Sequence, residues 1–242
     1  MRVLAINSSP RKDKGNTALI LNPFLDGMKE AGADVELIYA VDLKINPCYG
    51  EFNCWTKTPG ICSQKDDMPM INQKMSQADI LVLATPVYCD GVTGPMKMLI
   101  DRTVPQVQPF FELRDNHTRH PLRNDARHGK IVLVSNSGLW EQDNFDAMLA
   151  HIKAFAKNAN AQFAGALLRP HGEALRPMLE MGAPVKDILD SAKEAGRQLV
   201  RDGKMLPETL MKVSRELLPK EAYIQMVNQH FQKQLNELEK QV

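Results

Sequence analysis

Three of the four cysteines in this chain fall within fifteen residues, "CYGEFNCWTKTPGIC", at Cys48, Cys54 and Cys62. Thiols this crowded are candidate ligands for a metal or an iron–sulfur cluster. Their gaps of five and seven residues do not match the short Cys pairs usual in structural zinc sites. A second stretch, "NSSPRKDKGNTALI", offers hydroxyl and amide donors at Ser9, Asn16 and Thr17 and a positive charge at Arg11. Such a set suits one phosphate monoester at a helix start. It contains neither G-x-G-x-x-G nor G-x-x-x-x-G-K-[ST], which disfavours a nucleoside triphosphate or a conventional dinucleotide. Asn16 or Thr17 would serve equally well as a plain helix N-cap. In a third stretch, "TPVYCDGVTGPMKMLIDR", Tyr88 stands between Pro86 and Gly91, a natural wall for a flat ring.

Loops this far apart in sequence need a scaffold that brings them together. Apolar runs of strand length alternate here with amphipathic segments of helix length, a pattern that predicts parallel βαβ units. Strands are expected over residues 2–7, 35–39, 80–85, 130–135 and 163–168, each rich in Val, Ile, Leu or Ala. Helices are expected near 17–31, 95–102, 141–158 and 184–202. The count gives an α/β fold, a flavodoxin-like doubly wound five-stranded parallel sheet over residues 1–203. In such a sheet ligands sit beyond the carboxyl ends of the strands, where the second and third stretches would lie. Residues 204–242 have no strand signal and read as a C-terminal helical extension.

Composition narrows the class further. With 43% hydrophobic and 24% charged residues the chain can bury one sizeable core. Thirty basic against twenty-nine acidic residues leave a net charge of +1, too small to gather nucleic acid or an anionic membrane. No apolar run approaches the roughly 18–20 residues that cross a bilayer. The start, "MRVLAINSSPRK", reads as a buried strand and not as a signal peptide. Four cysteines are too few for a disulfide scaffold, so a reducing cytoplasmic location is expected.

Taken together, "SSPRKDKGNT" and "TPVYCDGVTGPMKMLIDR" resemble the NADPH-dependent FMN reductase family, in the branch that includes the iron–sulfur flavoproteins, over about residues 1 to 200. The resemblance implies FMN held non-covalently, NAD(P)H as substrate, a small-molecule acceptor such as a quinone, nitroaromatic compound or free flavin, and a homodimer or homotetramer. An FMN-bearing electron carrier serving a protein partner is the alternative. Ser9, Arg11, Gly15, Asn16 and Thr17 then become phosphate-loop positions, and Pro86, Val87, Tyr88, Cys89, Asp90 and Gly91 ring-loop positions. In "SNSGLWEQDNF" the backbone of Ser135, Asn136, Ser137 and Gly138 would reach the pyrimidine edge, with Trp140 joining the wall or stapling the next helix to its own core. Hydride chemistry belongs to the cofactor, so no catalytic side chain is assigned.

The same resemblance puts a four-cysteine cluster motif at Cys48, Cys54 and Cys62, with Glu51 at the second ligand position. A carboxylate is a poor substitute for thiolate at iron, so no metal is expected, the alternatives being a labile or incomplete cluster and zinc on three cysteines with a carboxylate or water; Trp55 and Pro59 are expected to pack near the active site. Between the helix near 95–102 and the strand at 130–135 lies one long connection. There Phe110 and Phe111 would cover a flavin, meet a subunit or form a buried pair. Arg114, Arg119, Arg123 and Arg127 would meet an anion or solvent, and His117, His120 and His128 read as solvated. Beyond residue 202 two apolar stripes, Leu206, Leu210, Val213, Leu217 and then Ile224, Val227, Phe231, Leu235, Leu238, Val242, would pack on the parent domain or on another subunit.

Overall fold

Short Val-, Ile- and Leu-rich runs form one sheet in the computed structural model, which describes residues 1–123 and 129–239. In chain order the strands are β1 (Arg2–Asn7), β2 (Asp34–Tyr39), β3 (Ile80–Pro86), β4 (Glu112–Arg114), β5 (His117–Arg119), β6 (Lys130–Asn136) and β7 (Gln162–Arg169). Five of them make a parallel sheet in the order β2-β1-β3-β6-β7, while β4 and β5 pair as a separate antiparallel hairpin. The order reverses between β1 and β3, which opens a crevice at their carboxyl ends. The sheet and its strand positions agree with the sequence expectation to within a residue or two at each end.

The helices are α1 (Asn16–Glu30), α2 (Asn53–Thr56), α3 (Met68–Gln77), α4 (Gly94–Asp101), α5 (Asp146–Asn158), α6 (Leu175–Glu180), α7 (Lys186–Asp202), α8 (Pro207–Ser214) and α9 (Lys220–Glu239). Alternate strand residues feed two cores. Val3, Ala5, Val82, Ala84, Val132 and Val134 meet α1 and α7 on one face, and Leu4, Ile6, Leu81, Leu83, Ile131 and Leu133 meet α3, α4 and α5 on the other. Helices α1 and α7 touch backbone to backbone: a Cβ added at Gly27 would come within 1.8 Å of the Lys193 carbonyl oxygen. That contact fixes the axis of α1, and with it the position of its amino end.

Several sequence expectations change. Helix α3 and the β4–β5 hairpin were not anticipated, because α3 is short and carries only two fully buried residues, Met68 and Ile71. The connection expected to be irregular is anchored by its arginines: Arg114 and Arg119 donate to Asn158, and Arg123 donates to the carbonyls of Pro105 and Cys54. Phe110 and Phe111 are 68% and 72% exposed, so they are no buried pair. His120 is only half-buried, between Trp55 and Phe111. Arg127, His128 and Val242 lie outside the described residues.

The two C-terminal stripes differ. Val213 is buried, with Leu210 and Leu217 packed against the α1–α7 core, whereas in α9 Ile224, Phe231, Leu235 and Leu238 stay largely exposed and Tyr223 alone is buried among the described residues. The junction is held by two buried cations or would-be cations. Arg169 donates to the carbonyls of Val213, Ser214 and Arg215. His171 accepts from the Leu217 amide at 2.9 Å. Burial, then the Arg169 charge, push the His171 imidazole down from 6.5 to about 4.

An unfolded His171 takes up its proton near 6.5 while the folded one resists until about 4. Stability contributed by the neutral ring is therefore complete above pH 6.5 and is lost as pH falls toward 4, at up to about 1.4 kcal/mol per pH unit. Urea unfolding between pH 7 and pH 4 should show this slope, and His171→Gln should flatten it.

Candidate cofactor site at the carboxyl ends of the strands

The loops after β1, β3 and β6 meet over the crevice, joined by buried polar side chains. Thr17 donates to the Asn136 side-chain carbonyl at 2.5 Å, tying the start of α1 to the end of β6. Thr93 donates to the Ser8 hydroxyl at 2.7 Å, and the Thr93 amide donates to the Thr85 hydroxyl at 3.1 Å. Ser135 donates to the Thr85 carbonyl at 2.7 Å, and the Val87 amide to that of Asn136 at 2.9 Å. Ser8, Thr17, Thr85, Thr93 and Ser135 are all fully or almost fully buried. Each of these hydroxyls has a partner, as burial demands.

The first loop leaves β1 at Asn7, whose side-chain oxygen accepts from the Ser9 amide. It turns through a 3₁₀ segment, Lys12–Lys14, and enters α1 with Gly15 as the N-cap. Neither Asn16 nor Thr17 caps the helix, contrary to one sequence expectation. Both lie in the first turn, buried, because the Thr17 hydroxyl is committed to Asn136. Gly15 is required by close approach, since a Cβ there would sit 2.6 Å from the Ser9 hydroxyl. The first-turn amides of α1 have no intrahelical acceptor and carry the positive end of the helix dipole. Arg11 is exposed, and the Asn7 side-chain nitrogen is buried without a partner among the described residues. This donor set fits one phosphate group.

Sequence reasoning missed Asn7, Ser8, Thr85 and Thr93, and it missed Arg176. The Arg176 guanidinium donates to the Lys14 carbonyl at 2.9 Å, bracing the loop after β1 from α6. A residue so distant along the chain gives no local signal. Thr93 does: it precedes Gly-Pro at a helix start, the usual place for a cap.

After Pro86 the second loop makes a two-residue hairpin turn. Tyr88 and Gly91 exchange both backbone hydrogen bonds, and the central residues Cys89 and Asp90 take left-handed φ values of 46° and 62°. That turn type is normally Asn-Gly, so Cys89 is held in a costly conformation, of the kind that collects at binding sites. The turn leaves Tyr88 51% exposed on the crevice-side loop, free to cover a flat ring.

In the third loop Ser135, Asn136 and Ser137 are buried, and Gly138 and Leu139 are exposed. Trp140 does not staple α5, which begins only at Asp146. Its indole N–H donates to the Leu218 carbonyl at 3.0 Å, and its ring stacks on His171 at 5.8 Å. The indole thus faces the C-terminal segment.

The cysteine loop lies elsewhere, against the end of α4. Arg102 donates to Asp66 through both terminal nitrogens (2.7 and 3.1 Å), to the Asn46 carbonyl (2.7 Å) and to the Cys62 sulfur (3.4 Å). Burial alone would raise the Asp66 carboxyl, but Arg102 and the amides of Asn46 and Met68 bring it below its ordinary value. Trp55 donates to the Val104 carbonyl and Pro59 lines a hollow beside Arg123, so both pack against the segment after α4 and not against the ring loop. Cys48, Cys54, Cys62 and Glu51 border one small cavity of about 20 Å³. The Glu51 carboxylate accepts from Ser63 at 2.7 Å, and burial, followed by the neighbouring Cys62, Glu51 and Cys48, pushes the Cys54 thiol up. Among the described residues no three His, Cys, Asp or Glu converge as a metal site. Three thiols with a carboxylate engaged elsewhere do not fit a cluster held by four thiolates.

Comparison with known proteins bears on this geometry. The profile of the NADPH-dependent FMN reductase family matches residues 1–166. An iron–sulfur flavoprotein of Archaeoglobus fulgidus is 42% identical over 129 residues, 53% of this chain and 62% of that protein. One of Methanocaldococcus jannaschii is 40% identical over 115 residues, 48% of this chain and 58% of that protein. The chain thus spans about three-fifths of the length of these relatives. An FMN-dependent NADH-azoreductase from Bacillus anthracis, solved in complex with FMN, superposes with a TM-score of 0.60 at 16% identity, covering 83% of this chain and 99% of that one. At that identity the likeness is one of fold. The flavodoxin-like sheet, the strand-end loops and a profile match over more than half of the sequence agree: the chain belongs to the NADPH-dependent FMN reductase family.

Proposed function

We propose that this protein binds FMN and acts as an NAD(P)H-dependent oxidoreductase that passes electrons to a small acceptor, a quinone, nitroaromatic compound or free flavin. The observation that carries the reading is the buried network joining three strand-end loops around donors for a single phosphate. Bound FMN supplies the hydride-accepting and electron-passing chemistry. The chain's own residues bind and orient it. Arg11, Ser9 and the first-turn amides of α1 take the phosphate, the rigid Tyr88–Gly91 turn covers the ring, and the loop after β6 borders its polar edge. Among the described residues no helix is long and apolar enough to cross a membrane.

Acid-released cofactor should co-elute with FMN and not FAD. Arg11→Ala should weaken FMN more than riboflavin, by about 1.5–3 kcal/mol for a charge-assisted contact, as read by fluorescence titration. Steady-state oxidation of NADH and NADPH tests the activity. A protein that holds FMN yet oxidises neither would instead serve a protein partner.

The donor set of the cysteine loop supports a flavin-only centre. Anaerobic purification with iron, sulfide and zinc analysis should find no stoichiometric metal, and Glu51→Cys should create cluster binding that the parent lacks. Near-stoichiometric iron and sulfide in the parent would overturn this.

The exposed α9 stripe, with Phe110 and Phe111, supports a homodimer or homotetramer. Light scattering should give a multiple of 27.2 kDa at micromolar concentration. Phe231→Glu with Leu235→Glu should lower that mass and leave FMN bound.

A further inference from the structure

The long connection between α4 and β6 takes no part in the cofactor site. It folds back on itself: the Gln108 amide donates to the Pro121 carbonyl at 2.8 Å, the Arg123 amide to that of Gln106 at 3.0 Å, and β4 pairs with β5 beyond them. Arg114 and Arg119 pin this ribbon to Asn158, the last residue of α5, and the Trp55 indole pins its start through the Val104 carbonyl. Connections of this length usually cover something. Between the ribbon and the sheet lies a cavity of about 390 Å³. Its floor is Leu81 and Ile131, near the amino ends of β3 and β6. Ile131 stands five residues before Asn136, about 16 Å along a strand at roughly 3.3 Å per residue, so the cavity and the cofactor crevice lie at opposite edges of the sheet.

Met75 from α3, Phe155 from α5, and Val107 and Leu122 from the ribbon line the cavity with apolar surface, yet none of the four is fully buried. Trp55 and His120 add two rings with centroids 4.8 Å apart. A volume of this size with apolar walls and a few polar groups is that of a small-molecule site, and such walls hold water poorly. The polar groups disfavour an anion. Helices α3 and α5 both end at the cavity, and helix carboxyl ends carry partial negative charge. Lys130, the one Lys or Arg of the lining among the described residues, donates instead to the Gly203 carbonyl. His120 supplies an acceptor. Its Nδ1 lies 3.0 Å from the Phe110 carbonyl, which can only accept, so Nδ1 carries the proton, and Nε2 of the neutral ring is a bare acceptor with no partner among the described residues.

We propose that this cavity is a second binding site, for one neutral aromatic molecule of two or three rings that carries a hydroxyl group and donates it to His120. Flat rings suit walls made by Trp55, His120 and Phe155, and the apolar surface removed from water on both sides drives the binding. The hydroxyl gives His120 Nε2 its missing partner, whereas a carboxylate would bring charge to the negative ends of two helices. No lining residue belongs to the loops after β1, β3 or β6, so the site stands independently of the FMN reading.

The test is calorimetric titration of the full chain near neutral pH with three probes, 2-naphthol, its methyl ether 2-methoxynaphthalene, and 2-naphthoate. One 2-naphthol should bind per chain, the ether about fivefold more weakly for want of one hydrogen bond, and the carboxylate at least about tenfold more weakly. His120→Phe keeps a flat ring and removes the acceptor; it should bring 2-naphthol down to the affinity of the ether and leave the ether within about twofold. Ala159→Trp, at the end of α5, and Val107→Trp, in the ribbon, each place bulk at a lining position and should abolish binding of both neutral probes. Equal affinity for 2-naphthol and its ether, or equal loss of both in His120→Phe, overturns the proposal, as does the absence of saturable binding. Binding untouched by both tryptophan variants, or competed by added FMN, places the probe in the cofactor crevice and overturns it as well. Should a tryptophan variant fail to fold, the three probes on the parent and on His120→Phe decide alone. None of these outcomes bears on the FMN reading, which stands or falls on the released cofactor.

Discussion

The hydrogen bond from Thr17 to Asn136 spans 119 residues of sequence and joins the first helix to the fourth strand of the main sheet. The geometry of the site depends on it. An open parallel sheet leaves its carboxyl ends as independent loops, each free to move over the crevice. Here the loop after β1 is tied to β6 through Thr17 and to the loop after β3 through Ser8 and Thr93, and the loop after β3 is tied to β6 through Val87. Three loops therefore move as one. Their shared network is buried, where each bond is stronger than at the surface and each missing partner costs about 1–3 kcal/mol. Such a site is preorganised, so little ordering cost remains for the ligand.

Much of this was legible in the sequence, and the reason is periodicity. Strands buried on both faces must be nearly continuous runs of Val, Ile, Leu and Ala, and β1, β3 and β6 read that way directly. The loop after β1 stood out because a Ser, Arg, Gly, Asn, Thr sequence between a buried strand and a helix has few structural uses, and the structure does tie it to its neighbours. The roles of single residues were less so. Thr17 is as good a cap as a cross-link on paper, and only the position of Asn136, fixed by the β3–β6 register, decides between them. Trp140 lies in the loop after β6, yet its indole is spent on Leu218 and His171. No local pattern foretells a partner 78 residues away.

The same limit applies to the buried charges. Arg102 follows directly on α4 and reads as an ordinary basic C-terminal residue, favourable to the helix dipole and expected in solvent. It is buried because Asp66, Asn46 and Cys62 converge on it from another segment. Arg169 ends a strand as a polar residue should, yet it is buried, and among the described residues its guanidinium is met by backbone carbonyls and the His171 ring. Its guanidinium is pushed down to about 10, by burial first and then by Arg215. It still carries its charge near neutrality, and burial, then that charge, keep His171 beside it neutral. Both arginines act as cores for segments too short or too polar to bury enough apolar surface of their own.

That role of Arg102 explains how the cysteine loop holds its shape. A loop rich in Gly, Pro and exposed residues has little apolar surface to oppose its conformational entropy, and a bound cluster is one way to order it. Here an ion pair that is 1% exposed on both sides takes that part, with Arg102 reaching Asn46 before the cysteines and Cys62 at their end. Removing either charge would strand the other, at roughly 3–5 kcal/mol, so the pair is costly to lose even though its net worth in the intact protein is small. An anchor of this kind holds the segment through Arg102 and Asp66, so its fold does not hang on the residue at position 51.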